Sequence, residues 1–304
     1  MKNTSMKKDL LLLSDFNREE ILELFDKTRE LKEKRRQGIP HPSLAGKTLG
    51  MIFHKHSTRT RISFEVGMFE LGGHPLFLTA DQLQLKRGET LADSARVLSR
   101  YLSAILIRTY DHNDVVQLAK YADIPVINGL TDLSHPVQVL TDIFTIQEKL
   151  GRIEDVKIAY VGDGNNVAYS WMLGASILGM RLAVAAPAGC RPLTPETMGT
   201  RGQVEIMEDP HAAVKDADII YTDVWVSMGE DDRAEEKIKA LKDYQINRQL
   251  LAAAGKDALV MHCLPAHREQ EITSEVMDGE HSIVFDQAEN RLHVQKAILE
   301  KLLT

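Results

Sequence analysis

Apolar residues recur along this chain in two alternating patterns. Short unbroken apolar runs at 48–53, 76–79, 104–108 and 125–127, and again at 156–161, 182–186, 204–207, 219–222, 259–262 and 282–285, predict strands buried on both faces. Between them lie segments with apolar residues at helical spacing. The first opens on Asn17 with Glu20 three residues on, a capping box, and carries Ile21, Leu22, Leu24, Phe25 and Leu31 towards a basic run and Gly38. Ile62, Val66 and Phe69 predict a helix directly after the first strand. Further helices are predicted at 90–101, 114–121, 136–150, 165–179, 212–215 and 292–303, with a charged loop at 227–236.

Strands interleaved with helices predict an α/β fold with parallel sheets covered on both faces. The alternation pauses at 136–150, where Val139, Leu140, Ile143, Phe144, Ile146 and Leu150 form one long helical pattern closed by Gly151, and then restarts. A chain of 304 residues also exceeds what one hydrophobic core usually serves. The prediction is therefore two doubly wound parallel-sheet domains joined by long interdomain helices. The first domain takes residues 1–135 and a C-terminal helix, about 290–304, packing back on it; the second takes 136–289, with 136–150 as the interdomain helix.

Composition narrows the partners. A net charge of −7 argues against a general polyanion binder, so nucleic acid is not an expected partner and any anion site must be a local concentration of arginine. The two cysteines, Cys190 and Cys263, lie far apart without the spacing of a metal knuckle or disulfide framework, which fits a reducing cytoplasm and calls for no metal. The opening MKNTSMKKDL has no apolar leader core, and no stretch approaches the ~20 apolar residues of a membrane span.

In doubly wound sheets ligands sit beyond the carboxyl ends of the strands, so the residues following each predicted strand hold the candidate chemistry. Ser57, Thr58, Arg59, Thr60 and Arg61 come first. Hydroxyls and guanidinium forks at a helix start, where backbone N–H groups are unpaired and the macrodipole is positive, suit a phosphate. Arg108, His135 to Gln138, Asp163 to Asn166, Asp223 to Met228 and His262 to Pro265 follow in order. Singly, each has an ordinary explanation: a surface cation, a turn residue before Pro136, a helix cap, a small buried thiol. Together, in register with the strands, they make a site.

Five motifs, STRTR, HPVQ, DGNN, DVWVSMG and HCLP, make the whole chain resemble the aspartate/ornithine carbamoyltransferase family, and within it the ornithine branch. The resemblance implies transfer of the carbamoyl group of carbamoyl phosphate to the side-chain amine of L-ornithine, giving L-citrulline and phosphate, with chemistry between two domains and no cofactor. It assigns carbamoyl phosphate to Ser57, Thr58, Arg59, Thr60, Arg61, Arg108, His135, Gln138, Cys263, Leu264 and Arg291. Gln84 would be lent by a neighbouring subunit, which implies a homotrimer. Ornithine falls to Asn166, Asp223, Ser227 and Met228. Cys263, beside Asp223, would handle the proton of the amine, while Arg108 and His135 direct donors at the carbonyl oxygen. Ser227, Met228 and Gly229 with the acidic tail after them resemble a loop that closes over the amino acid. The segment 192–203 is shorter than its family counterpart, so no full helix is expected there.

Two other readings compete with this one. Gly162, Asp163 and Gly164 partly imitate a dinucleotide fingerprint, but Val167 stands where its last glycine or alanine belongs, and a dehydrogenase leaves STRTR and HCLP idle. An aspartate-specific pocket must meet a second carboxylate with cations, whereas DVWVSMG and HCLP offer an acid and a thiol. Putrescine and acylated ornithine remain alternatives for the amine.

Overall fold

The computed structural model describes residues 7–55, 57–79, 88–196, 199, 201–227 and 229–304. The capping box forms as the pattern predicts: Asn17 Oδ1 accepts from Glu20 N at 2.9 Å and Glu20 Oε2 accepts from Asn17 N at 3.0 Å, opening α1 (Arg18–Arg36). Next come β1 (Thr48–Phe53), α2 (Thr58–Glu70), β2 (His74–Thr79), α3 (Leu91–Leu98), β3 (Ala104–Arg108), α4 (His112–Tyr121), β4 (Val126–Leu130) and α5 (Pro136–Leu150). The chain continues through β5 (Lys157–Val161), α6 (Asn166–Leu178), β6 (Arg181–Ala185), β7 (Gln203–Met207), α7 (Pro210–Val214), β8 (Ile219–Thr222), α8 (Ala234–Leu241), α9 (Arg248–Ala254), β9 (Leu259–His262), α10 (Ser274–Met277) and α11 (Val284–Leu303).

Contacts divide the chain into a first unit, 1–140 with 290–304, and a second, 141–289, so the divisions fall inside α5 and α11. The first unit holds a sheet in the order β2-β1-β3-β4, and the second a sheet in the order β7-β6-β5-β8-β9. Every pairing is parallel. In both sheets the strand order reverses, between β1 and β3 in the first and between β5 and β8 in the second. Such a switch point leaves a crevice beyond the strand ends, because successive connections run to opposite faces. Ser57 and Arg108 flank the first switch point, and Asp163 and Asp223 flank the second.

The 290–304 portion of α11 is bound to the first unit by polar as well as apolar contact. Lys32 Nζ donates to Asn290 Oδ1 at 2.8 Å, and the fully buried Lys296 pairs with Glu70 at 2.7 Å. In the second unit Trp171 meets Tyr221 edge-on at 5.4 Å, Tyr221 stacks on Tyr160 at 5.6 Å, and the Tyr221 hydroxyl donates to Asp142 at 2.8 Å. Gln287 donates to the other Asp142 oxygen at 2.7 Å, so the buried acid is held from two elements.

Two expectations need correction. Residues 282–285 are not a strand: Ser282 makes a single bridge to Val260, and α11 begins at Val284, earlier than the periodicity placed it. An apolar run this short does not distinguish strand from helix start, and the exposure of Phe285 shows that its outer face is not covered as a central strand's would be. The charged stretch 227–236 is not all loop either, since a 3-10 turn at Asp231–Arg233 leads into α8. Its few apolar positions, Ile238 and Leu241 among them, hide a helix that is mostly solvated. After β6 comes a 3-10 turn at Ala188–Cys190, and residues 197, 198 and 200 of the stretch expected to lack a full helix lie outside the described residues.

Trp171→Ala is expected to cost ~3–5 kcal/mol by opening a cavity against Tyr221. Urea unfolding of the two proteins should show a lower midpoint for the variant at unchanged slope.

Candidate active site

The first unit brings hydroxyl and guanidinium side chains together from four elements. Ser57 caps α2, its Oγ accepting from Thr60 N at 3.3 Å, so the hydroxyls and Arg59 stand at the positive end of that helix. Arg108 is the last residue of β3 and nearly buried; its guanidinium donates to Thr60 Oγ1 at 3.4 Å. Arg291, on α11, donates to the same oxygen at 3.0 Å and with its other terminal nitrogen to Gln138 Oε1. His135 precedes α5, whose first residue is Pro136; proline lacks only an N–H that would be unpaired there anyway. Burial, with the charges of Arg291, Arg108 and Arg59 around it, holds the His135 imidazole well below its ordinary pKa. At neutral pH it is therefore an uncharged donor or acceptor among fixed cations.

Arg61 behaves differently from its motif neighbours. Its guanidinium carbon lies 3.7 Å from the Phe77 ring centroid, its Nε pairs with Glu65 at 3.3 Å, and the residue is exposed. These contacts turn it towards the helix surface rather than to Thr60, Arg108 and Arg291. Gln84 and Met228 lie outside the described residues.

The second unit gathers a different set. Asp223, just past β8, accepts from Asn165 Nδ2 at 2.8 Å, from Val224 N at 2.8 Å and from the Cys263 thiol at 2.7 Å. Asn165 is the N-cap of α6: its Oδ1 accepts from Val167 N and Ala168 N at 2.9 and 3.3 Å, and from the Tyr160 hydroxyl at 3.0 Å. Close packing shapes this turn, for a Cβ on Gly164 would fall 2.2 Å from Pro192 N. Asn166 opens α6 half-buried, and Ser227 is half-buried too. Leu264 N donates to His262 Nδ1 at 2.8 Å, which puts the ring proton on Nε2, facing Glu271 at 3.0 Å. Ligand atoms of Asp223, His262 and Cys263 lie within 4.8 Å of one another, but both ring nitrogens of His262 are engaged, so the imidazole has no lone pair to offer a metal.

Sequence reasoning named Asn165 only within the stretch Asp163 to Asn166 and gave it no role of its own, yet it is Asn165 that makes the contact to Asp223. Lys237 was missed altogether. Its nearly buried ammonium donates to Asp163 at 2.8 Å and Glu230 at 2.6 Å. Burial pushes Asp163 up to about 6, with Lys237 pulling it down and Glu230 and Asp223 adding to the rise. For Lys237 burial works against the charge, and the two carboxylates outweigh it, raising its pKa.

Comparison with known proteins matches residues 8–148 to the carbamoyl-P binding domain of aspartate/ornithine carbamoyltransferase and 154–302 to the Asp/Orn binding domain. The chain is 55% identical to an ornithine carbamoyltransferase of Syntrophus aciditrophicus over 302 residues, 98% of this chain and all of that one. It is 54% identical to an anabolic ornithine carbamoyltransferase of Pyrococcus furiosus, covering 96% of this chain and 95% of the relative. The solved ornithine carbamoyltransferase from Campylobacter jejuni, also described as anabolic, superposes with a TM-score of 0.90 at 40% identity, over 97% of this chain and 98% of that one.

The depressed His135 pKa has a stability consequence. The unfolded chain takes up a proton near pH ~6.5 that the folded chain refuses, so the contribution of His135 is full above that pH and is lost as pH falls below it. Between pH 7 and 5, His135→Gln should lose stability less steeply than the parent in urea titrations.

Proposed function

The chain belongs to the aspartate/ornithine carbamoyltransferase family, and from that we propose that it transfers the carbamoyl group of carbamoyl phosphate to the side-chain amine of L-ornithine, releasing L-citrulline and phosphate. The observation that carries the assignment of the donor is the convergence of Arg108 and Arg291 on the Thr60 hydroxyl, beside an uncharged His135 and Gln138. Carbamoyl phosphate needs an anion cradle for the phosphate that leaves and donors for the carbonyl oxygen that becomes negative in the tetrahedral transition state. Ser57, Thr58, Arg59 and Thr60 at the α2 terminus suit the phosphate. Arg108, Arg291 and His135 suit the oxygen, and Gln138, with the Leu264 carbonyl, the carbamoyl amide. Guanidinium groups keep their charge at any working pH and meet phosphate with paired donors.

The choice of ornithine over aspartate rests on Asp223 and Cys263. An acid that accepts from a thiol and an amide is suited to an ammonium or amine and unsuited to a second carboxylate. Asn166, Ser227 and Met228 would hold the amino-acid head. In the reaction the neutral side-chain amine attacks the carbamoyl carbon, the C–N bond forms, the C–O bond to phosphate breaks, and the amine loses a proton. An alkyl amine has a reference pKa near ~10.4, so the site must take up that proton. Cys263 is the group we assign to it: its S–H already donates to Asp223, and once that proton has passed to the carboxylate the thiolate left behind accepts the proton of the amine.

We extend the proposal to a cytoplasmic homotrimer. Exposed Ile62 and Phe69 on α2 and Leu76 on the edge strand β2 support a subunit contact on that side, with Gln84 as the residue shared between subunits. Among the described residues no helix is long and apolar enough to cross a membrane.

The deciding assay supplies carbamoyl phosphate with ornithine, putrescine, lysine, aspartate or acetylornithine in turn and follows phosphate. Ornithine should give the highest kcat/KM; a preference for aspartate or putrescine overturns the assignment. Arg108→Gln should lower kcat/KM by roughly two to three orders of magnitude, as loss of a donor to a developing oxyanion does. Cys263→Ala should shift the pH–rate profile, and an unshifted profile removes Cys263 from the proton's path.

A further inference from the structure

Lys237 is a buried cation that the proposed chemistry leaves without a task. Its side chain is 6% exposed, and its Nζ donates to Asp163 Oδ2 at 2.8 Å and to Glu230 Oε2 at 2.6 Å. The same Glu230 oxygen accepts the Ser227 N–H at 3.0 Å, and the Ser227 carbonyl accepts the Glu230 N–H at 3.1 Å. At the other end, Asp163 belongs to the turn between β5 and α6. Its carbonyl accepts from the Tyr160 hydroxyl at 3.0 Å and from Asn165 N at 2.8 Å. One ammonium thus joins the segment carrying Ser227 to the turn carrying Asn165 and Asn166.

A lysine this deeply buried is costly, and a hydrophobic residue of similar volume would often serve stability as well. What a hydrophobic residue cannot do is hold two carboxylates from separate segments at one point. Without the cation, Asp163 and Glu230 would face each other with Asp223 close by, and the three acids would push the Ser227 segment and the α6 turn apart.

We propose that Lys237 is a positioning residue for the amino-acid substrate: through Glu230 and Asp163 it fixes Ser227 relative to Asn166, and so sets affinity for the amino acid without setting affinity for carbamoyl phosphate. This rests on the assignment of Ser227 and Asn166 to the amino-acid head. Lys237 itself touches neither substrate. An arginine at this position supplies a cation to the same two acids; a methionine matches the bulk and supplies none.

The test is steady-state kinetics of the full chain and of Lys237→Met, Lys237→Arg and Glu230→Gln, varying each substrate in turn. Lys237→Met should raise KM for the amine about tenfold while KM for carbamoyl phosphate stays within about twofold, and Lys237→Arg should recover most of the loss. Glu230→Gln, which leaves the Lys237–Asp163 pair in place, should raise the same KM by less. Unchanged KM values in Lys237→Met, an equal rise in both, or a fall in kcat alone overturns the proposal. If Lys237→Met does not fold, a Glu230→Gln enzyme with the parental amine KM overturns it instead. The comparison uses whichever amine the parent carbamoylates, so a chain that ignores ornithine refutes the substrate assignment while the Lys237 result still stands on its own.

Discussion

Like charges brought together around one hydroxyl are the constraint on which the first unit depends. Thr60 Oγ1 receives both Arg108 and Arg291, and Arg59 stands at the same helix end, close enough for all three cations to bear on His135. Such a cluster repels itself, and the fold holds it by placing each arginine on a different rigid element: the end of β3, the start of α2 and the middle of α11. The neutral imidazole follows from the same constraint, because a fourth positive charge at His135 is disfavoured by burial and by its neighbours alike. An anion is the kind of group that relieves such a repulsion.

The second unit solves the opposite problem. It gathers carboxylates, and each is satisfied by a named donor: Asp223 by Asn165, Val224 N and Cys263, Asp163 by Lys237, Asp142 by Tyr221 and Gln287. Donors from different strands and helices make these acids points of attachment between elements. A buried network of this kind is stable only when complete, which ties the strand ends of β5, β8 and β9 to one another.

Unbroken apolar runs bounded by polar residues made β1, β3, β8 and β9 legible to the residue, and the Asn17–Glu20 box did the same for α1. Strand ends then led to Arg59, Arg108, His135, Asp223 and Cys263, because an open parallel sheet leaves few other places for a ligand, while Arg291, on a helix, was reached only through the family resemblance. Local pattern failed where tertiary context decides. At 282–285 an apolar run starts a helix, and α8 is too polar to announce itself. Asn165 and Asn166 are indistinguishable in composition, and only the folded turn gives the Asp223 contact to Asn165. Lys237 meets Asp163 across 74 positions of sequence, a pairing that no periodicity encodes. Arg61 reads as one motif with Arg59, yet a helix turns successive side chains by about 100° and sends it to Phe77.

Arg291 has a consequence for synthesis on the ribosome. The sheet of the first unit is complete once residue 130 has been made, and domains generally fold from the N-terminus as they emerge. The guanidinium that reaches back to Thr60 and Gln138 is translated only after the whole second unit has been made. A nascent polypeptide therefore carries the first sheet while the second unit is still being made, with Thr60 and Gln138 not yet met by that arginine.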